Sequence, residues 1–237
     1  MVSSQIFLAL CLSAVVSAHT QMIKVFVNGE DQGDGRSKYI RSPDSFNPVR
    51  PPSPYLACNV KGDNAVPSFV KAAAGNNITY QWFNNFPAEP VINPNHNGPI
   101  LTYIAPMPPH GASPSGPIWS KIGQEGFEGG EWPVAKLIDR DGKVDFSLPE
   151  WLSQGEYLVR QEIIALHQAD HLSDDPANPR GAEFYVTCVQ FNITGSGTKV
   201  PDQNFDPATA YTRENTLFNI WEPFDSYTPP GPPVIGS

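Results

Sequence analysis

The chain has 237 residues, of which 26 are proline, 19 are glycine and 11% are aromatic, and its formal net charge is −9. The length suits one domain, and a composition rich in turn-forming and aromatic residues favours strands over helices. The negative charge disfavours nucleic acid and anionic membrane surfaces as partners, because both attract basic surfaces.

Residues 1–18 are predicted to form a secretory signal peptide that is removed. The segment Ile6–Val16 is apolar and uncharged, and Val16-Ser17-Ala18 supplies small residues before a cut after Ala18. The apolar run is too short to span a bilayer of about 30 Å as a helix. We therefore expect a secreted, extracellular protein whose mature chain, residues 19–237, begins at His19.

Alternating apolar and polar residues predict β-strands along the mature chain. The predicted strands cover residues 22–27, 77–82, 100–104, 143–146, 157–160 and 183–189. Tight turns are predicted at Asn28-Gly29 and Asp141-Gly142, and no long capped helical stripe is found. We predict an all-β fold, an immunoglobulin-like or fibronectin-type β-sandwich, with residues 19–237 as its single domain.

Proline-rich stretches lie between some of the predicted strands and at the end of the chain. Pro48–Pro54 and Pro106–Pro117 are expected to be long loops on its surface. The chain ends in a proline-rich tail around residues 227–233, and no appended carbohydrate-binding module is predicted.

Cysteines and sequons agree with secretion. Cys58 and Cys188 are the cysteines left once the signal peptide is removed, which predicts one disulfide, with two free thiols as the alternative. Asn77 and Asn192 each begin an Asn-Ile-Thr sequon and are possible glycosylation sites.

Two histidines are candidate metal ligands. After signal removal, the α-amine and imidazole of His19 can chelate one ion, and an imidazole from elsewhere would complete a planar three-nitrogen set that favours Cu(II). His96 precedes an apolar strand in Asn95-His96-Asn97-Gly98-Pro99 and could be that third donor. The alternatives are a frayed terminus for His19 and an ordinary surface residue for His96.

The strand that contains Cys188 carries two further candidates. Alternation places Glu183 and Tyr185 on one face and Cys188 on the other, so the carboxylate and the phenol should point together. The alternative is a half-buried strand with a core tyrosine.

Six stretches, taken together and in chain order, resemble the fungal lytic polysaccharide monooxygenases of auxiliary activity family nine. They are His19-Thr20, Asp31–Arg36, His96–Pro99, Glu162–His167, Phe184–Gln190 and Tyr227. The resemblance covers the mature chain from His19 to the proline-rich tail.

The resemblance implies a copper enzyme with one Cu(II)/Cu(I) ion. His19 would supply its amine and imidazole nitrogens, His96 the third nitrogen and Tyr185 an axial phenol oxygen. His167 would lie beside the metal and hydrogen-bond to oxygen species there. Tyr227 would lie against sugar rings on a flat substrate face. The resemblance also implies the disulfide between the two cysteines.

Two positions depart from the family pattern. Glu183 stands where the family usually has Gln; a carboxylate could accept hydrogen bonds and pass protons, but its charge would alter the potential of the copper site. Phe46 is aromatic where some relatives active on soluble sugars have a polar residue, so activity on soluble oligosaccharides is not inferred.

The implied function is copper-dependent oxidative cleavage of cellulose or related β-1,4-glucans. Hydroxylation at C1, at C4 or at both would use an external electron donor, a small reductant or a redox protein, with O₂ or H₂O₂. The single domain would be catalytic and the protein a monomer. The first alternative is a non-catalytic secreted carbohydrate- or copper-binding β-sandwich, which Glu183 favours. The second alternative is a glycoside hydrolase, for which no residue spacing in the chain gives support.

Overall fold

The computed structural model describes residues 20–84, 89–109, 112–173, 175 and 178–236. The predicted signal peptide and His19 therefore lie outside the described residues. None of the helices in these ranges is long and apolar enough to cross a lipid bilayer.

The described residues form ten strands, two short α-helices and a 3₁₀ turn. The strands are β1 (Gln21–Val27), β2 (Glu30–Asp34), β3 (Ile40–Arg41), β4 (Val70–Ala73), β5 (Asn77–Phe83), β6 (Ile100–Pro106), β7 (Ser120–Glu125), β8 (Lys143–Ser147), β9 (Gly155–Ala165) and β10 (Glu183–Thr194). The helices are α1 (Pro133–Asp139) and α2 (Pro207–Ala210), and the 3₁₀ turn is Pro54–Leu56.

The strands are arranged in two sheets. The first has the order β2-β1-β5-β8, and the second has the order β3-β10-β9-β6-β7, with β4 added beside β10. All pairs are antiparallel except β4 with β10, which is parallel. The predicted all-β sandwich is confirmed.

Both faces of the second sheet are buried. One face packs against the first sheet, where Met22 and Trp82 meet Ile163 and Phe191 in one apolar cluster. The other face forms a second cluster, which loops and the C-terminal segment cover, and which includes Phe184. Because both faces are covered, nearly every residue of β9 and β10 is buried, polar residues such as Arg160 and Gln161 included.

The disulfide between Cys58 and Cys188 is formed, as the cysteine count predicted. It attaches the loop after β3 to the middle of β10, which is the longest strand of the described residues. Cys188 lies in the second apolar cluster and Tyr185 in the first, so the predicted alternation of this strand is confirmed.

Buried polar side chains attach further segments to β9. Arg160 donates to the carbonyl oxygens of Leu56 and Ala57 and to the carboxylate of Glu162. Tyr211, in the C-terminal segment, donates its hydroxyl proton to Glu162 Oε1 at 2.6 Å. Arg160 and Glu162 are both fully buried, so this network is a pairing of charges inside the protein.

Both sequon asparagines are exposed. Asn77 begins β5, and Asn192 lies near the end of β10. Glycosylation at either residue stays a prediction.

Candidate metal centre

Three strands of the second sheet bring the candidate residues to one end of that sheet. His96 precedes the start of β6, His167 follows the end of β9, and Glu183 begins β10. Because β9 runs antiparallel to both β6 and β10, these three positions meet at the same end of the sheet.

The loop that carries His96 is bound closely to the end of β9. The amide of Leu166 donates to the Asn97 carbonyl at 2.8 Å, and the amide of Ile164 donates to the Pro99 carbonyl at 3.0 Å. A Cβ atom at Gly98 would lie 1.8 Å from the Ile164 carbonyl oxygen, so only glycine fits there. This close approach places the His96 ring beside His167.

The imidazole rings of His96 and His167 stack on each other at this end of the sheet. Their centroids are 3.9 Å apart, and their planes are inclined by 21°. One oxygen of the Glu183 carboxylate, Oε2, lies 3.8 Å from His96 Nε2 and 4.0 Å from His167 Nε2. The ligand-type atoms of these three side chains lie within 4.8 Å of one another.

The Tyr185 phenol completes this group, which we call the metal group: His96, His167, Glu183 and Tyr185. Tyr185 lies two residues after Glu183 on the same face of β10, and its hydroxyl donates to Glu183 Oε2 at 3.1 Å. The prediction that the carboxylate and the phenol point together is confirmed.

Burial sets the protonation of two members of the metal group. Burial lowers the pKa of His167, with Glu183 opposing this shift and the charges of Arg50 and Arg180 adding to it, so the imidazole is neutral at neutral pH. Burial also raises the pKa of Tyr185, and the nearby Glu183 carboxylate raises it further. The phenol therefore keeps its proton and is a neutral oxygen donor.

Arg50, which the sequence analysis missed, contacts Glu183 from the loop after β3. Its Nη2 donates to Glu183 Oε1 and also to Gln168 Oε1, the latter at 3.2 Å. The only sequence signal here was the proline-rich run Pro48–Pro54, which predicted a surface loop and gave no partner for the arginine.

Trp221 is a second residue that the sequence analysis missed. Its side chain is among the exposed large apolar groups, with 58% of the residue exposed, and its indole nitrogen donates to the His167 carbonyl at 3.1 Å. One exposed aromatic ring therefore lies on the exterior next to His167 of the metal group. The segment around Trp221 has neither helical nor strand periodicity, so no signal in the sequence indicated this contact.

Tyr227, the predicted sugar-contacting residue, lies in an aromatic cluster. Its ring is half-buried, 5.0 Å from that of Trp132 and 4.8 Å from that of Phe218, edge-on to both. Burial raises the pKa of its hydroxyl. Its contact with sugar rings stays a prediction, as does the role of His19, which lies outside the described residues.

A comparison with models of known protein families gives a match over most of the chain. The model of Auxiliary Activity family 9, formerly GH61, matches residues 19–228. The chain belongs to this family. The predicted family and enzyme class, an oxidoreductase of the lytic monooxygenase type, are confirmed by this match and by the relatives below.

Curated relatives and solved structures of the same family resemble the chain over most of its length. "AA9 family lytic polysaccharide monooxygenase A" of Collariella virescens is 45% identical over 98% of this chain and 86% of its own length. The enzyme of the same description from Phanerochaete carnosa is 40% identical over 94% of this chain and 84% of its own length. The solved structure "CvAA9A" superposes with a TM-score of 0.87 at 45% identity, covering 91% of this chain and 97% of that one.

The donor atoms of the metal group fit a copper ion. Imidazole nitrogens with a neutral phenol oxygen are the donor types that copper accepts. Nδ1 of His167 is buried and has no hydrogen-bond partner within the described ranges, so the group retains an unused nitrogen beside the cluster. Family 9 membership and this chemistry together point to copper as the metal.

Proposed function

We propose that the chain is a secreted, copper-dependent enzyme that cleaves cellulose or related β-1,4-glucans by hydroxylation at C1, at C4 or at both. The observation that carries the proposal is the metal group at one end of the second sheet, next to the exposed ring of Trp221. The names of the family 9 relatives, which are lytic polysaccharide monooxygenases, support the same reaction.

The proposed copper ligands come from three residues. His19 would supply its terminal amine and imidazole nitrogens, His96 an imidazole nitrogen and Tyr185 its phenol oxygen. A copper ion held there would supply redox chemistry toward O₂ or H₂O₂ with electrons from an external donor. The donor would be a small reductant or a redox protein.

The other two members of the metal group hold protons and hydrogen bonds. Neutral His167 has one ring nitrogen that donates a hydrogen bond and one that accepts, which suits a reactant oxygen placed next to the cluster. Glu183 Oε2 accepts a hydrogen bond from the Tyr185 hydroxyl and so fixes the direction of that oxygen. We assign both residues to the handling of oxygen and protons.

The substrate would lie across an exterior face, because a crystalline polymer cannot enter a narrow pocket. Trp221 provides an exposed aromatic plane on that face, and aromatic planes pack against the C–H groups of sugar rings. Tyr227 remains a second candidate for this contact. We assign residues 19–237 to one catalytic domain of a monomeric enzyme, without nucleic acid or membrane partners.

The test is product analysis on cellulose with the secreted protein loaded with one equivalent of copper. With ascorbate as reductant, oxidised oligosaccharides are expected, as aldonic acids for attack at C1 and 4-keto sugars for attack at C4. The His96→Ala variant and metal-stripped protein should give none. Lys24→Gln, which alters an exposed ion pair with Asp31, is the matched control and should behave as wild type.

Two results would overturn the proposal. Copper-loaded protein that binds cellulose but gives no oxidised product at any ascorbate concentration would support the non-catalytic binder that Glu183 favours. Unmodified reducing-end products that form without reductant and survive copper removal would indicate a glycoside hydrolase.

A further inference from the structure

The backbone places Arg50 directly opposite Glu183. Val49 and Phe184 exchange two hydrogen bonds, from the Val49 amide at 2.9 Å and from the Phe184 amide at 2.8 Å. In an antiparallel pair, the residue that follows Val49, which is Arg50, then lies opposite the residue that precedes Phe184, which is Glu183. Pro51 also restricts Arg50 to an extended backbone conformation, which holds the side chain in this direction.

Glu183 is a carboxylate with little access to water. Its side chain is 7% exposed, whereas that of Arg50 is 31% exposed. A buried carboxylate is unfavourable unless a cation and hydrogen bonds compensate it. Arg50 supplies both, because its Nη2 donates to Glu183 Oε1 and its guanidinium group carries a positive charge.

The two carboxylate oxygens of Glu183 consequently have different partners. Oε1 binds Arg50, and Oε2 faces the Tyr185 phenol and both imidazole rings. The same Nη2 atom also binds Gln168, the residue after His167. Arg50 thus joins the two chain segments that carry His167 and Glu183.

We propose that Arg50 is a positioning residue for the metal group. It holds Glu183 with one oxygen turned toward the phenol and the imidazoles, and it cancels the negative charge that Glu183 brings next to the metal. The metal part of this inference rests on the proposed function, whereas the pairing of Arg50 with Glu183 can be tested on the metal-free protein.

The first experiment measures Cu(II) and Cu(I) dissociation constants by competition with coloured chelators. Arg50→Gln leaves the carboxylate uncompensated, which favours the more highly charged ion and should lower the ratio of the Cu(II) to the Cu(I) constant by about tenfold or more. Glu183→Gln leaves the guanidinium uncompensated and should raise that ratio. Arg50→Lys keeps the charge and should return the ratio to within about threefold of wild type.

The second experiment compares urea unfolding midpoints of metal-free Arg50→Gln, Glu183→Gln and the double variant. Each single change leaves one charge without its partner and should lower the unfolding midpoint. The double variant should lie closer to wild type than the sum of the single changes predicts. Arg36→Gln, in an exposed pair with Asp34, is the matched control. It should leave unchanged both the ratio of the Cu(II) to the Cu(I) dissociation constant and the coupling between Arg50 and Glu183.

Several results would overturn the inference. These are a copper ratio unchanged in Arg50→Gln, an Arg50→Lys variant that behaves as Arg50→Gln, and additive shifts in the unfolding midpoint. If wild-type protein bound no copper, the proposed function would fail, and the unfolding cycle alone would decide whether Arg50 and Glu183 act as a pair.

Discussion

At the scale of single residues, one carboxylate connects most of the metal group. Glu183 accepts a hydrogen bond from Tyr185, lies about as far from His96 as from His167, and binds Arg50 through its other oxygen. The phenol is held by this contact as well as by its burial in the core of the sandwich. The phenol oxygen, which is the proposed oxygen donor to copper, is therefore held in place by the protein's own contacts.

The terminal amine of His19 is the least replaceable of the proposed copper donors. Adding one residue before His19 keeps the imidazole but converts the amine to an amide, so tight Cu(II) binding should weaken by more than about 100-fold. Tyr185→Phe should change the affinity far less, because an axial oxygen contributes little to a tetragonal site. Titration calorimetry with Cu(II) measures both, and equal affinity of the extended and native proteins would refute the chelate.

Trp221 should contribute to cellulose binding more than to metal binding. Trp221→Ala removes the exposed ring and should weaken adsorption to cellulose by about threefold to tenfold, the effect of one aromatic contact. Trp221→Phe keeps an aromatic plane but loses the donor to the His167 carbonyl, and it should retain most of the adsorption. Adsorption isotherms, with Cu(II) affinity measured alongside, make the comparison; unchanged adsorption of Trp221→Ala would exclude the proposed contact.

At the scale of elements, β9 combines apolar packing with buried charge. Arg160 and Glu162 lie on the face covered by the Cys58 loop and the C-terminal segment, and each uses its polar atoms to attach one of those segments. The strand therefore organises the covering loops as well as the sheet.

Removing one charge of this pair should be costly. Glu162→Gln leaves the buried guanidinium of Arg160 without its carboxylate and should lower the free energy of unfolding by about 3 kcal/mol. Urea denaturation measures this loss. The double change Arg160→Met with Glu162→Leu removes both charges and should be milder than the sum of its single changes; a loss below about 1 kcal/mol for Glu162→Gln would show that the pair is not needed.

The loop between β9 and β10 should show a pH-dependent contribution from Asp170. Burial acts to raise the pKa of this carboxyl, but hydrogen bonds from Arg180 and His171 lower it more, from 3.8 to about 2. A lowered folded-state pKa means that the stabilisation is present above about pH 3.8 and is lost as the pH falls through 2.

Asp170→Asn tests this contribution. The variant should be less stable than wild type by about 1–2 kcal/mol at pH 6, and the difference should disappear as the pH approaches 2. Unfolding free energies measured across this range decide the matter, and a difference that stays constant down to pH 2 would contradict the assignment.

The sequence predicted the long strands and missed the short or polar ones. The strands β1, β5, β6, β8, β9 and β10 were all predicted in part. Polar β2 and two-residue β3 carry no apolar alternation. They form strands because they pair with β1 and β10, and the sequence of β2 or β3 alone does not show this pairing. The seven-residue helix α1 begins at Pro133 and is too short to show a helical period.

The site was predictable where local pattern or family resemblance identified a residue. His96, His167, Glu183 and Tyr185 were named from the sequence, and the structure brings them together. Arg50 meets Glu183 across 133 residues of chain, and Trp221 meets His167 across 54. Such contacts depend on the packing of the whole fold, so no local pattern could reveal them.

At the scale of the whole molecule, the disulfide joins distant parts of the chain across a separation of 130 residues. Closing so long a loop restricts the unfolded chain strongly. The Cys58→Ala, Cys188→Ala double variant should therefore lose about 2–4 kcal/mol of unfolding free energy, because both cysteines are fully buried and the loop is large. Denaturation under oxidising and reducing conditions measures this, and wild type that is equally stable in both would refute it.

The residues of the metal group stand on or next to strand ends of the second sheet, which is covered on both faces. The intervening segments, such as residues 42–53, 107–109 and 112–118, lie outside the ten strands, although Val49 in the first of them pairs with Phe184 of β10. Substrate preference could accordingly diverge, in natural lineages or by loop grafting in the laboratory, while the spacing of the imidazoles stays constant. Within the first of these segments Arg50 is the exception, and a graft that replaced it would need to carry an equivalent cation.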